Sequence, residues 1–183
     1  MSHSVFDTKE LGGAINRYGP TAARNVSTEF IRLGTTTVDC HAHALVPEAA
    51  TFVQPWHRPI ELPFAKFSAP ETRQTNIRQD QDRMVALADP KDRLAVLDAQ
   101  GIDLQVVAPA PNQCYYDIPA AHCAKASRIV NDGVAAFVGT SDRLFGLGTI
   151  PLQDPAVALK EFDYVMGDLG FQGVQILTNV NGK

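Results

Sequence analysis

From residue 33 onward, short runs rich in β-branched residues alternate with stretches in which apolar residues recur at helical spacing. That order is expected of a parallel sheet whose strands are joined by crossover helices. Four strands are predicted, roughly Thr35 to Asp39, Ile102 to Pro109, Leu144 to Ile150 and Val174 to Thr178. The helices between them carry their own start and stop signals. Asp89-Pro90 opens one that Gly101 closes, and Asp154-Pro155 opens another that Gly170 closes. An Asp side chain takes free N–H groups of the first turn, Pro fits there because its missing N–H would have no partner, and Gly takes the left-handed exit. Ile129, Val130, Val134, Phe137 and Val138 share one helical face between strands two and three, and Leu159, Phe162, Met166 and Leu169 share another before strand four. Both stripes are expected to face the core.

Residues 44–88 break the alternation. They are rich in Pro and polar residues, include Trp56, His57, Phe64 and Phe67, and have no clean period. They read as a long loop after strand one, of the kind that serves as a lid or substrate wall, with a disordered or poorly packed insert as the alternative. The expected organisation is an N-terminal extension over residues 1–32 followed by one α/β unit over 33–183.

Composition narrows the partners. A chain of 183 residues that is 45% hydrophobic can bury one sizeable core. Its net charge of -4 provides no basic footprint, so a small molecule is expected as partner, with no nucleic acid and no membrane. Met1 to Pro20 is polar and no long apolar run occurs, which points to a soluble cytoplasmic protein. Cys40, Cys114 and Cys123 are odd in number and irregularly spaced, as reduced thiols are, and unlike a disulfide framework or a Cys-rich zinc module. No phosphate-binding glycine loop or G-x-S-x-G elbow is present.

The candidate chemistry lies in Val38-Asp39-Cys40-His41-Ala42-His43. Period two puts His41 and His43 on one face, with Thr37 and Asp39 in phase, and turns Val38, Cys40 and Ala42 toward a helical layer. Cys40 is then an inert packed thiol. At the C-terminal end of a barrel strand the inner face opens on the active-site mouth, where a neutral imidazole pair can bind a divalent ion. The spacing alone fits surface or hydrogen-bonded histidines as well; the β-branched run before it and the βα units after it favour ligation. Asn112, Tyr115 and Tyr116 after strand two and Asn179 and Asn181 after strand four fit either loop hydrogen bonding or substrate contact, with Tyr115 and Asn179 favoured among them for the latter. Arg73, Arg78 and Arg83 fit either a carboxylate clamp or a solvated helix face. His57 and His122 fit exposure or aromatic packing better than ligation, and Gln105 and Gln175 fit structural hydrogen bonding better than a polar layer inside the barrel.

The D-x-H-x-H start, the stretch Gly101-Ile102-Asp103-Leu104-Gln105-Val106-Val107, the run from Asp142 to Gln153 and the segment from Gly170 to Gly182 stand in one order. Together they resemble the amidohydrolase-related decarboxylases of the aminocarboxymuconate semialdehyde decarboxylase type, over roughly Thr36 to Lys183, with residues 44–88 least matched. The resemblance implies a TIM-type (β/α)8 barrel of the amidohydrolase superfamily, of which this chain supplies about the first four βα units. It implies a divalent ion on His41 and His43, zinc with manganese as the alternative. The activity implied is decarboxylation of an unsaturated or aromatic carboxylic acid, by a protein that is a homodimer when full length. The family's later ligands, from the fifth strand on, have no counterpart before Lys183. A barrel of this kind takes about 250 residues, so a partial or truncated chain, inactive by itself, is expected, and no catalytic residue is assigned. Lactone or amide hydrolysis on the same scaffold and a non-catalytic fragment are the alternatives.

Overall fold

A computed structural model describes residues 34–182. The expected extension over residues 1–32 lies outside the described residues. In chain order the elements are β1 (Val38–Ala44), α1 (Pro47–Val53), α2 (Pro63–Lys66), α3 (Pro70–Ala88), α4 (Pro90–Gln100), β2 (Leu104–Pro109), α5 (Ala120–Val138), β3 (Leu144–Gly146) and α6 (Pro155–Asp163). Short 3-10 turns lie at Pro59–Glu61 and Pro111–Gln113, and a π turn follows α6 at Tyr164–Asp168. The strands form one parallel sheet in the order β1, β2, β3.

The capping signals act as expected. Asp89 accepts from the Lys91 N–H at the start of α4, and Gly101 closes that helix at φ 65°. Asp154 accepts from the N–H groups of Ala156 and Val157 at the start of α6, and Gly170 turns the chain at φ 63°. Helix α5 packs its predicted stripe inward, with Val130 and Val134 wholly buried beside Ala44, Val107 and Leu144 of the sheet. No helix among the described residues is long and apolar enough to cross a membrane.

Four expectations need correction. Strand one starts later and runs through both histidines, so His41 and His43 lie within β1 and not beyond its end. The third strand stops at Gly146, and the fourth is reduced to one parallel bridge between Gly148 and Val174, supported by Gln175 N–H donating to the Gly148 carbonyl at 2.8 Å. A strand with a neighbour on one side leaves half its backbone groups outside any ladder, which favours short pairing.

The third correction concerns residues 44–88, which are largely helical. Helix α3 has no buried residue and no apolar face, so it gave no periodic signal; it is built from good helix formers behind Pro70 and is tied down where Leu45 N–H donates to the Leu87 carbonyl. The fourth concerns α6 and the turn after it. Leu159, Phe162 and Met166 are exposed, and Ala158, Glu161 and Val165 face inward instead. The cause is Glu161, whose carboxylate is drawn in by Arg128 through a two-pronged contact and by Asn131 at 2.8 Å, both on α5. That rotates the helix by about one residue against its apolar stripe.

Candidate metal centre

The site begins with an irregularity in β1. Asp39 pairs with Gln105, but the next paired residue is Ala42, opposite Val107. Three residues of β1 therefore advance against two of β2, which is a β-bulge at Cys40 and His41. Beyond it, Ala42 and Ala44 share the helix-covered face with Val107, whereas His43 stands opposite Ala108 on the other face. The extra residue also reverses the expected phase of Asp39. It lies on the helix side with Gln105, bonded to it at 2.7 Å, and not beside the histidines. Gln105 is likewise turned toward the helices, where Arg93 donates to it, so it forms no polar layer on the histidine side. Cys40 is exposed and not packed.

The two imidazoles do lie together, with ring centroids 4.9 Å apart in an edge-to-face arrangement. His41 is exposed and His43 half-buried. Nδ1 of His43 is 3.1 Å from the Pro109 carbonyl oxygen. A carbonyl can only accept, so Nδ1 carries the proton and Nε2 keeps its lone pair. Burial lowers the His43 pKa below its ordinary value, the neighbouring His41 adds to that, and the bond to Pro109 opposes it. The neutral, ligating form is thereby favoured, and a carbonyl holding the other nitrogen is the usual support of a metal-binding histidine. The donor chemistry fits a divalent ion, as a pair. Among the described residues no group of three or more His, Cys, Asp or Glu side chains is arranged to hold one.

The other candidates are dispersed. Tyr115 is buried in the core at φ 49°, its hydroxyl near the Gln113 amide and its ring edge-on to His57. Burial raises its pKa. Asn179 is exposed, and its Oδ1 accepts from the Gly182 N–H. Arg73 donates to the Ser68 carbonyl at 2.8 Å and so braces the start of α3. His57 bonds Asp117 at 2.7 Å, tying the segment after β1 to the loop after β2, and His122 stacks on Trp56 with centroids 3.7 Å apart. Gln175 Nε2 donates to the Pro109 carbonyl that also holds His43.

Sequence reasoning missed two residues that shape the centre. Arg93 of α4 reaches the His43 carbonyl at 2.7 Å. Gln113, 1% exposed, bonds both the N–H and the carbonyl of Val46 and fixes the turn that leaves β1. Arg93 was detectable: it sits beside Leu94 and one turn before buried Leu97, where a charged side chain needs an internal partner.

A curated relative, 2-amino-3-carboxymuconate-6-semialdehyde decarboxylase of Dictyostelium discoideum, is 31% identical over 96 residues, which cover 52% of this chain and 27% of the relative. A 2,6-dihydroxybenzoate decarboxylase, crystallised with 2,6-dihydroxybenzoate, is similar in structure with a TM-score of 0.56 at 25% identity, covering 76% of this chain and 38% of that one. A 5-carboxyvanillate decarboxylase of Novosphingobium aromaticivorans, complexed with manganese and 4-hydroxy-3-methoxy-5-nitrobenzoic acid, has a TM-score of 0.65 at 21% identity, covering 88% and 47%. This chain thus spans less than half the length of each. The fold is the TIM-type (β/α) barrel of the amidohydrolase superfamily, represented by β1 to β3, their helices and the bridged segment at Val174. Because the amidohydrolase family's sequence model matches residues 38–183, from the strand that carries both histidines onward, the chain belongs to the amidohydrolase family.

Proposed function

We propose that this chain carries part of a metal-dependent decarboxylase acting on an aromatic or unsaturated carboxylic acid, with His41 and His43 as ligands of a divalent ion. The observation that carries the reading is His43, whose Nδ1 is committed to the Pro109 carbonyl and whose Nε2 is left free beside the His41 ring. The similarity to decarboxylases of 2,6-dihydroxybenzoate and of the carboxymuconate semialdehyde supports the substrate class. Zinc suits two imidazoles, and manganese is the alternative that the 5-carboxyvanillate decarboxylase supports. A divalent ion held there supplies a Lewis acid for the oxygen atoms of the substrate. His41 and His43 bind and orient it, and Pro109 holds the His43 tautomer. Tyr115 and Asn179 are proposed substrate contacts, residues 33–183 the barrel unit, the cytoplasm the location, and a homodimer the full-length assembly.

Two donors are fewer than the three or four protein ligands that zinc usually has, so the 183 residues alone are proposed to bind the ion without turnover. The test is calorimetric titration of the chain with Zn2+ or Mn2+, followed by assays of carbon dioxide release from 2,6-dihydroxybenzoate and of lactone opening on the chain joined to the rest of its barrel. Ion binding should vanish in His41→Ala with His43→Ala, and turnover should release carbon dioxide. Unchanged ion binding in the double variant refutes the site, and lactone opening without carbon dioxide refutes the reaction.

A further inference from the structure

We infer that Asp39 is a positioning residue for the histidine pair: with Gln105 and Arg93 it holds the β1 bulge that sets His41 and His43 on one face. The inference rests on reading that pair as ion ligands.

Between Asp39 and Ala42 the pairing of β1 with β2 is interrupted, and a side-chain relay behind the sheet grips β1 at this point. One oxygen of Asp39 accepts from the His41 N–H at 3.0 Å, and the other accepts from Gln105 Nε2 at 2.7 Å. Gln105 Oε1 accepts from Arg93 Nη1 at 3.2 Å, and Arg93 Nη2 donates to the His43 carbonyl at 2.7 Å. The carboxylate thus holds the backbone of one histidine and the guanidinium that of the other, with Gln105 joining them.

The relay has one permitted polarity. Arginine only donates and a carboxylate only accepts, so Gln105 must present oxygen to Arg93 and nitrogen to Asp39. Gln105 is 5% exposed, which gives water little room to repair a mismatch. Bulges re-aim side chains, and here the re-aimed side chains are the two imidazoles, while Asp39 itself stays on the far face.

This predicts an isosteric lesion with a designed rescue that also restores the net charge. Asp39→Asn can keep an oxygen on the His41 N–H, but its amide then meets Gln105 Nε2, donor against donor; flipping Gln105 moves the clash to Arg93. Adding Gln105→Glu supplies acceptors to both neighbours and restores the polarity. Zn2+ affinity of the full chain, measured by calorimetry, should fall about 10- to 100-fold in Asp39→Asn, and the visible spectrum of bound Co2+ should change. In the double variant both should return toward wild type. Unchanged Zn2+ affinity in Asp39→Asn, or a loss that Gln105→Glu does not restore, overturns the positioning role and leaves the pair reading intact. Wild-type Zn2+ binding in His43→Ala overturns the pair reading itself, and the inference with it.

Discussion

Asn131 of α5 is wholly buried and spends its whole side chain on three partners. Its Oδ1 accepts from the Thr149 N–H at 2.7 Å, and its Nδ2 donates to the Thr149 carbonyl at 2.9 Å and to Glu161 Oε1 at 2.8 Å. Asn131→Ala removes all three. Glu161 keeps Arg128, whose Nε remains 3.1 Å from the same oxygen, but both backbone groups of Thr149 lose the side chain that paired them. A buried polar group left without a partner costs about 1–3 kcal/mol, and the space vacated by the amide adds about 1 kcal/mol. The expected loss is about 3–7 kcal/mol, a large share of the ~5–15 kcal/mol that holds a domain folded. Urea unfolding followed by circular dichroism measures it. Asp132→Ala is the control, since that exposed neighbour bonds only the Tyr164 hydroxyl among the side-chain contacts described. A loss below about 1 kcal/mol for Asn131→Ala, or one no larger than that of the control, would refute the assignment of Asn131 as the fastening between α5 and the segment that follows the third strand.

Further outcomes follow from the same contacts. A Cβ at Gly148 would meet the Val165 methyl carbons at 2.7 and 2.8 Å and Asn131 Oδ1 at 3.0 Å, whereas one at Gly167 meets nothing within 4 Å. Gly148→Ala should therefore lower stability by about 1–3 kcal/mol, and Gly167→Ala should not, both read from urea midpoints. Because burial holds the His43 pKa below its ordinary 6.5, the unfolded chain takes up that proton first as pH falls. The His43 contribution to stability is present above pH 6.5 and lost as pH falls through the lower folded value; replacing His43 by Gln should flatten that part of the urea-midpoint profile. Cys40 is exposed while Cys114 and Cys123 are buried with raised pKa values. A thiol reagent should label Cys40 in the native chain and the other two after denaturation; rapid native labelling of Cys114 or Cys123 contradicts the packing of α5.

What was legible in the sequence was what local chemistry decides. The Asp-Pro openings of α4 and α6 and the Gly101 closing of α4 depend on residues within one turn, and they act as read. The α5 stripe was legible because its apolar face and its burial coincide. The bulge was not, since Asp39, His41 and His43 alternate without a flaw in the sequence, and the additional residue becomes visible only against the register of β2. The inward face of α6 was hidden for a related reason: the partners of Glu161 stand 33 and 30 residues away on another helix. Helix α3 carries no packing signal at all, because it buries no residue.

These misses share a cause that bears on how the site is built. Both the bulge and the rotation of α6 are set by buried or half-buried polar networks behind the sheet, Asp39–Gln105–Arg93 in one case and Asn131–Glu161–Arg128 in the other. Such networks are weak evidence for stability, since well-packed apolar groups can do as well. What apolar groups cannot do is distinguish one backbone register from the next. A hydrophobic residue at position 39 would fill its space in either phase of β1, whereas a carboxylate that must meet the His41 N–H and the Gln105 amide together admits one phase. The face that carries the imidazoles needs no such device, because its geometry is imposed from the opposite side: His41 is exposed, and His43 is held through its own carbonyl and that of Pro109. The imidazole side is thereby left open, and apart from the Pro109 carbonyl the groups that set its shape are ones that do not face it.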